Sequence, residues 1–270
     1  MITALTRRAS LSASIYLIAL AAVSCGGEQN VRTPSDETPA AERLEDRSPS
    51  GTASERAGIE VDRLHETLMS GSPQERVGAA FQAVTMSDIP AVERTEILVS
   101  ALNRELLEPS AAGAPSKTYL STTDWIRAEF TRALGLIAKE GSHLLEDVAA
   151  QESGETRDRL IVAQGYAGQR AAVVELRRVL LESEHGDVRT DAAYVLGELG
   201  DTVAIPELIQ ALDDPHWVSY EDYGQTVSFH SVRAHAATAL EKMGVEVRQR
   251  EDGSYEVLSR RRGDVQPAME

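Results

Sequence analysis

A phrase that recurs along the chain restricts its fold more than any other feature. Its clearest copy occupies 187–212 and reads DVRTDAAYVLGELGDTVAIPELIQAL. Apolar residues in the first half recur at helical spacing, with Asp187 as a favourable N-cap and Gly200 as a helix end. A second amphipathic segment follows a short turn, with Pro206 tolerated in its first turn. The phrase therefore predicts a pair of helices.

Five copies of this phrase can be aligned, each on one arginine. The arginines are Arg76, Arg127, Arg157, Arg189 and Arg233. The intervals between them are 51, 30, 32 and 44 residues. The two short intervals give the length of one repeat, and the two long ones are a repeat plus an insertion. Gly135, Gly165 and Gly197 each stand eight residues after their arginine. Repetition at this period is typical of a solenoid built from stacked helix pairs.

The phrase D-V-R-x-x-A-A-x-x-L-G-x-L-G-D at 187–201 resembles the HEAT-like repeats of phycobilisome lyases. The resemblance covers roughly 60–245, and it implies an all-α, HEAT-like α-solenoid of about five helix pairs in a right-handed superhelix. In that family the repeated arginine and a nearby acid brace neighbouring repeats. By this resemblance Arg76, Arg127, Arg157, Arg189 and Arg233 have a structural, repeat-bracing role.

Two insertions interrupt the period, one at about 108–123 and one at about 214–230. The first is a Pro/Gly/Ser-rich surface loop. The second is predicted to form a β-hairpin or folded loop. It concentrates the chain's candidate contact residues: His216, Trp217, Tyr220, Tyr223, Phe229 and His230. Packing of these rings against neighbouring helices is the favoured interpretation, contact with a partner or ligand is the second, and a weak metal site is the third.

The C-terminal part is predicted to close the repeat stack. Residues 246–260 alternate around Asp252-Gly253, which is typical of a hairpin. Such a hairpin would cap the exposed apolar end that a repeat protein must cover. Residues 261–270 are predicted to be a disordered tail, which leaves 58–245 for the repeat domain.

The N-terminus carries the features of a bacterial lipoprotein signal. Arg7 and Arg8 precede an apolar run from Leu11 to Val23, which is too short to span a bilayer. The segment ends in Ala-Val-Ser before Cys25, which resembles a lipobox. Residues 1–24 are therefore predicted to be a signal peptide, and Cys25 is predicted to carry acyl chains such as palmitate. Gly26 after the cysteine favours the outer membrane, facing the periplasm.

Composition sets the remaining expectations. Residues 25–57 are rich in Gly, Pro, Ser, Thr and Glu, and they are predicted to be a disordered tether. The net charge of −16 argues against a nucleic-acid partner, because phosphate binding requires basic patches. The membrane is therefore expected to be engaged through Cys25, and the remaining partner is expected to be an envelope protein.

We find no catalytic motif in the sequence. Cys25 is the only cysteine and is assigned to the anchor, which excludes a thiol nucleophile and a thiolate zinc site. No Walker, G-x-S-x-G or H-E-x-x-H phrase occurs. We therefore expect no cofactor and no metal. The leading hypothesis is a membrane-anchored, non-enzymatic protein-interaction scaffold in the cell envelope. The alternative is a ligand-binding or lyase/isomerase-like protein that uses the aromatic and His-containing insertion at 214–230.

Overall fold

The computed structural model describes residues 53–107, 122–141, 143–222 and 225–260. The predicted signal peptide, Cys25, most of the predicted tether, most of the first insertion and the tail at 261–270 lie outside these ranges. The described part contains ten α-helices: α1 Ala53–Ser70, α2 Pro73–Thr85, α3 Ala91–Leu107, α4 Thr122–Ile137, α5 Leu144–Gln151, α6 Gly154–Tyr166, α7 Val173–Glu182, α8 Gly186–Leu199, α9 Ile205–Gln210 and α10 Ser231–Lys242.

The helices form two layers. The repeat-arginine layer contains α2, α4, α6, α8 and α10, each packed on the next. The companion layer contains α1, α3, α5, α7 and α9, and each of these packs on the arginine helix that follows it. The predicted α-solenoid of five helix pairs is thus confirmed in the described residues. The first helix begins at Ala53, five residues before the predicted start of the repeat domain.

The pairing of helices differs by one step from the sequence prediction. The phrase at 187–212 suggested that α8 and α9 form one pair. In the structure the companion helix on which α8 packs is α7, whereas α9 packs on α10. Helix α9 has only six residues, and it buries Ile205 and Leu208 in the core that it shares with α7, α8 and α10. The helix pairs are therefore companion helix first and arginine helix second.

Glycines eight residues after the repeat arginines allow the arginine helices to approach closely. A Cβ atom added at Gly135 would lie 2.5 Å from Cβ of Tyr166 and 2.7 Å from the carbonyl oxygen of Ala163. A Cβ atom added at Gly197 would lie 2.8 Å from Cβ of Ala239. The predicted helix end at Gly200 is confirmed, with a left-handed φ of 65°.

Two antiparallel hairpins complete the described part, as the sequence predicted. Strands β1 (Val218–Asp222) and β2 (Gln225–Phe229) lie in the second insertion, with Val218 opposite Phe229. Strands β3 (Val245–Gln249) and β4 (Tyr255–Arg260) follow α10, with a register shift at Glu246/Val247. Val245, Val247 and Tyr255 pack on the apolar core shared by the last helices. Within the described residues, no helix has the length and apolar character needed to cross a membrane.

Candidate interaction surface

One face of the repeat-arginine layer carries a continuous set of aromatic and charged side chains. Its members stand two, five or nine residues after a repeat arginine, a spacing that places them on one side of each helix. We call this set the aromatic-polar face: Glu129, Arg132, Arg159, Tyr166, Asp191, Tyr194, Glu198, His235 and Lys242. It extends over α4, α6, α8 and α10.

The rings of this face contact one another from helix to helix. The centroids of Tyr166 and Tyr194 are 6.0 Å apart, and those of Tyr194 and His235 are 6.2 Å apart with a near-perpendicular arrangement. The guanidinium carbon of Arg132 lies 5.8 Å from the Tyr166 ring centroid, and the Lys242 ammonium lies 5.6 Å from that of Tyr194. These distances are typical of aromatic and cation–π pairs, so the rings link three successive arginine helices, α6, α8 and α10.

A buried arginine organises the charges beside these rings. Arg159 is 1% exposed and donates to Oε1 of Glu155 at 2.8 Å and to Oδ2 of Asp187 on the next arginine helix. Burial alone would lower the pKa of Arg159, but the charges of Asp187 and Glu155 outweigh burial and raise it. Burial would likewise raise the pKa of Asp187, and Arg159 outweighs that effect and lowers it. Arg127 extends the chain of charges, with Nη1 3.9 Å from Glu155.

The environment of Asp191 makes the ionised form of its carboxyl group unfavourable. Burial, followed by the nearby charge of Asp187, raises the pKa of Asp191 to about 7. Arg159, Arg132 and a hydrogen bond act in the opposite direction without cancelling the rise. That bond is donated by the Tyr166 hydroxyl to Oδ1 of Asp191 at 3.3 Å. The Asp191 carboxyl, with a pKa of about 7, is therefore only partly ionised at neutral pH.

Two further groups on this face have pKa values displaced toward their neutral forms. Burial raises the pKa of Glu129, although Arg132 and a hydrogen bond from Trp125 oppose it. Burial lowers the pKa of His235, whose Nδ1 donates to the carbonyl oxygen of Ser231 at 2.8 Å. The buried part of the face is thus less charged than its sequence indicates.

The first two repeat arginines meet at one buried acid. Arg76 forms an ion pair with the carboxylate of Glu105 on α3, which is 2% exposed. Arg127, itself 1% exposed, donates to the backbone carbonyl of the same residue at 2.6 Å and 3.2 Å. Both arginines therefore connect an arginine helix to the companion helix between them.

The other three repeat arginines contact different partners. Arg157 reaches Glu175 on α7 at 2.9 Å, but both side chains are about two-fifths exposed. Arg189 binds both carboxylate oxygens of Asp214 at 2.7 Å and 3.1 Å, and Arg233 donates to the carbonyl oxygen of Asp214 at 2.6 Å. The last two arginines thus hold the first residue of the insertion.

Two buried arginines were not singled out by the sequence analysis. Arg159 lies two residues after Arg157 on the same helix and is far less exposed. Arg94 on α3 is 1% exposed and donates to the carbonyl oxygens of Ala83, Val84 and Ile89. The sequence could have indicated Arg159 through its position two residues after a repeat arginine. Asp191 occupies the equivalent position on the next arginine helix.

The stem of the second insertion brings two of its candidate residues together. Nδ1 of His230 donates to the carbonyl oxygen of His216 at 3.1 Å, and the backbone N–H of His216 donates to Oδ1 of Asp214 at 2.8 Å. The His216 ring lies against Gly186, so closely that a Cβ atom there would overlap it. Burial lowers the pKa of His216.

The other described candidates lie at the base of the hairpin and on its first strand. Trp217 and Phe229 are half-buried at the base of the hairpin, and Tyr220 lies on β1 opposite Val227. Tyr223 lies outside the described residues. In the described ranges no group of three or more His, Cys, Asp or Glu side chains is arranged to hold a metal ion.

Two surface hollows lie near the first helices of the described part, away from the second insertion. One has a volume of about 520 Å³ and is lined from α1, α3 and α6, and the other, of about 260 Å³, is lined from α1 to α4. Their walls contain none of the six candidate residues of the insertion.

Comparison with known families bears on this architecture. Residues 141–220, from just before α5 into β1, match the family model described as HEAT repeats. This segment of the chain is similar to HEAT repeats. The HEAT segment includes α6 and α8, and with them Arg159, Tyr166, Asp191 and Tyr194 of the aromatic-polar face. A comparison with curated proteins returned no match.

Proposed function

We propose that this protein is a membrane-anchored, non-enzymatic HEAT-repeat scaffold that binds another protein of the cell envelope. The observation that carries the proposal is the continuity of the aromatic-polar face across four arginine helices. HEAT repeats are a fold that commonly presents an extended binding surface. Tyrosine and arginine are enriched in the energetically dominant parts of protein interfaces, and both occur on this face.

Charge and chemistry support a protein partner over other classes. The net charge of −16 is unsuited to nucleic acid. The aromatic-polar face itself carries both signs, with Arg132 and Lys242 beside Glu129 and Glu198. A mixed face of this kind favours a partner with complementary charges and gives specificity as well as affinity.

The membrane-anchoring half of the proposal rests on the N-terminal sequence. The basic start, the short apolar run and the small residues before Cys25 are the features of a lipoprotein signal. Acylation of Cys25 would tether the repeats through residues 25–52, and Gly26 favours the outer membrane facing the periplasm. The partner is then an envelope protein within reach of that tether.

Replacing Cys25 by alanine tests the anchor. We expect the Cys25→Ala variant to lose the acyl chains, which metabolic labelling with palmitate detects. On a gel it should also lose the mobility shift of the processed lipoprotein. The parent chain and a Ser48→Ala control should incorporate the label and remain with the membrane fraction. Equal labelling of Cys25→Ala and the parent chain would refute the anchor.

The binding half is tested by photocrosslinking from two glutamates. Glu198 lies on the aromatic-polar face, and Glu182 lies at the end of companion helix α7; both are exposed. A photoreactive residue at Glu198 or at Glu182 shows whether the partner contacts the aromatic-polar face or the companion layer. A separate Trp217→Ala variant shows whether the hairpin contributes to the contact.

A further inference from the structure

One carboxyl group of the aromatic-polar face is largely buried without a full set of hydrogen-bond donors. Asp191 is 8% exposed, and its Oδ1 accepts from the Tyr166 hydroxyl at 3.3 Å, which is a long bond. Among the described residues no donor reaches the other oxygen, Oδ2, and Oδ2 is not one of the unpaired polar atoms that are closed off from solvent. An accessible carboxylate oxygen in a largely buried group therefore favours a donor brought by another molecule.

The charges around Asp191 favour a cation as that donor. The side chains of this cluster comprise four carboxyl groups and two guanidinium groups: Glu129, Glu155, Asp187, Asp191, Arg132 and Arg159. When all are ionised, they carry an excess of two negative charges. Burial and the charge of Asp187 raise the pKa of Asp191 for this reason, and the two arginines do not cancel the rise. One added cation would offset the excess at the carboxyl group that is least easily ionised.

The other helices packed against α8 do not supply this cation. On α7, Arg178 is paired with Asp158 at 2.7 Å. On α10, Lys242 is paired with Glu198, and burial lowers the pKa of His235 and so favours its neutral ring. The cations of these two helices are therefore already engaged by acids of this chain.

The rings beside Asp191 favour an organic cation. Tyr166 and Tyr194 are half-buried, with ring centroids 6.0 Å apart. Each ring already attracts one cation of this chain, Arg132 at 5.8 Å or Lys242 at 5.6 Å. A guanidinium is planar, stacks on aromatic rings and donates to carboxylate oxygens. A metal ion is a poorer match, because in the described part of the chain no three His, Cys, Asp or Glu side chains are arranged to hold one.

We infer that the aromatic-polar face binds an arginine side chain of its protein partner, with the guanidinium on Oδ2 of Asp191 and against the rings of Tyr166 and Tyr194. This inference rests on the proposed function, because it names the chemistry of the partner at the same face. The guanidinium replaces water at the carboxylate and adds the cation that the cluster lacks. Asp191 is ionised in the complex and releases the proton that it held before binding.

NMR titration of the purified full chain with the peptide acetyl-Leu-Arg-Leu-amide tests the inference. The control peptide contains citrulline in place of arginine, which keeps the shape and removes the charge. We expect the arginine peptide to bind at least tenfold more tightly than the citrulline peptide and to shift the ring signals of Tyr166 and Tyr194. Asp191→Asn should weaken binding of the arginine peptide at least tenfold. Glu182→Gln removes an exposed acid of companion helix α7 and should bind like the parent chain. A melting curve verifies that each variant is folded.

The pH dependence of the same titration gives a second readout. Because the pKa of Asp191 is about 7, its carboxyl must lose a proton at lower pH before it pairs with the guanidinium. The affinity for the arginine peptide should therefore rise about tenfold from pH 6 to pH 8. Asp191→Asn should abolish this rise. That comparison separates Asp191 from His185, a second titratable group that lies 3.3 Å from Glu155.

The outcomes distinguish this inference from the scaffold proposal. Equal binding of the arginine and citrulline peptides, no binding of the arginine peptide, or unchanged binding by folded Asp191→Asn would overturn the inference. A photocrosslinked adduct at Glu198 that Asp191→Asn leaves at full yield would also overturn it, and would retain the scaffold. Selective binding of the arginine peptide without any adduct at Glu198 would support the arginine site and contradict the scaffold.

Discussion

Replacing Arg159 by methionine is expected to lower the free energy of unfolding by about 3–5 kcal/mol. Arg159 is 1% exposed and lies between Glu155 of its own helix and Asp187 of the next arginine helix. Methionine fills a similar volume but leaves both carboxylates without their common cation. Asp187, whose pKa is lowered by Arg159, would then be a poorly compensated charge. Urea unfolding followed by circular dichroism measures the loss.

Arg157 provides a matched control on the same helix. It forms an ion pair with Glu175, but both side chains are about two-fifths exposed, so solvent screens the interaction. Arg157→Met should cost at most about 1 kcal/mol. A loss at Arg157 equal to that at Arg159 would show that exposure does not separate the two arginines, and that Arg159 contributes no more to stability than the predicted bracing residue Arg157.

The stability of the chain should also depend on the ionisation of Asp191. The pKa of its carboxyl is raised to about 7 in the folded chain, so the folded state binds a proton that the unfolded state has already released. This contribution is fully present below about pH 4 and is lost as pH rises through about 7. At roughly 1.4 kcal/mol per pKa unit, the loss is about 4 kcal/mol.

Asp191→Asn isolates this contribution from the other titrating groups. Asparagine keeps an oxygen that accepts from the Tyr166 hydroxyl and has no charge to bury. The stability of the variant relative to the parent should therefore increase between pH 4.5 and pH 8, as measured by urea unfolding at each pH. Asp88→Asn, at an exposed turn, should show a nearly constant difference over the same range. A constant difference for Asp191→Asn would contradict the raised pKa.

The repeat phrase predicted the fold because its determinants are local. Helical periodicity, the left-handed cap at Gly200 and the glycines eight residues after an arginine are all readable along the chain. The turn at Asp252-Gly253 predicted the C-terminal hairpin for the same reason. The shifted pairing of α8 with α7 was not predictable, because two successive amphipathic helices do not indicate which apolar face meets which neighbour.

The candidate surface was harder to predict than the fold. The segment 214–230 could be predicted as a candidate because its aromatic residues lie close together in the sequence. The rings of Tyr166, Tyr194 and His235 are separated by 28 and 41 residues and meet only when the helices stack. The burial that distinguishes Arg159 from Arg157, and that raises the pKa of Asp191, also arises from neighbouring repeats.

Photocrosslinking in intact cells tests the proposed scaffold most directly. With a photoreactive residue at Glu198, we predict one discrete adduct with an envelope protein, which Tyr194→Ala weakens strongly. The same residue at Glu182 should give no such adduct. Loss of the adduct on Trp217→Ala but not on Tyr194→Ala would place the contact on the insertion. The proposal would be contradicted if Glu198 gave no discrete adduct, or if Glu182 gave the same adduct with equal yield.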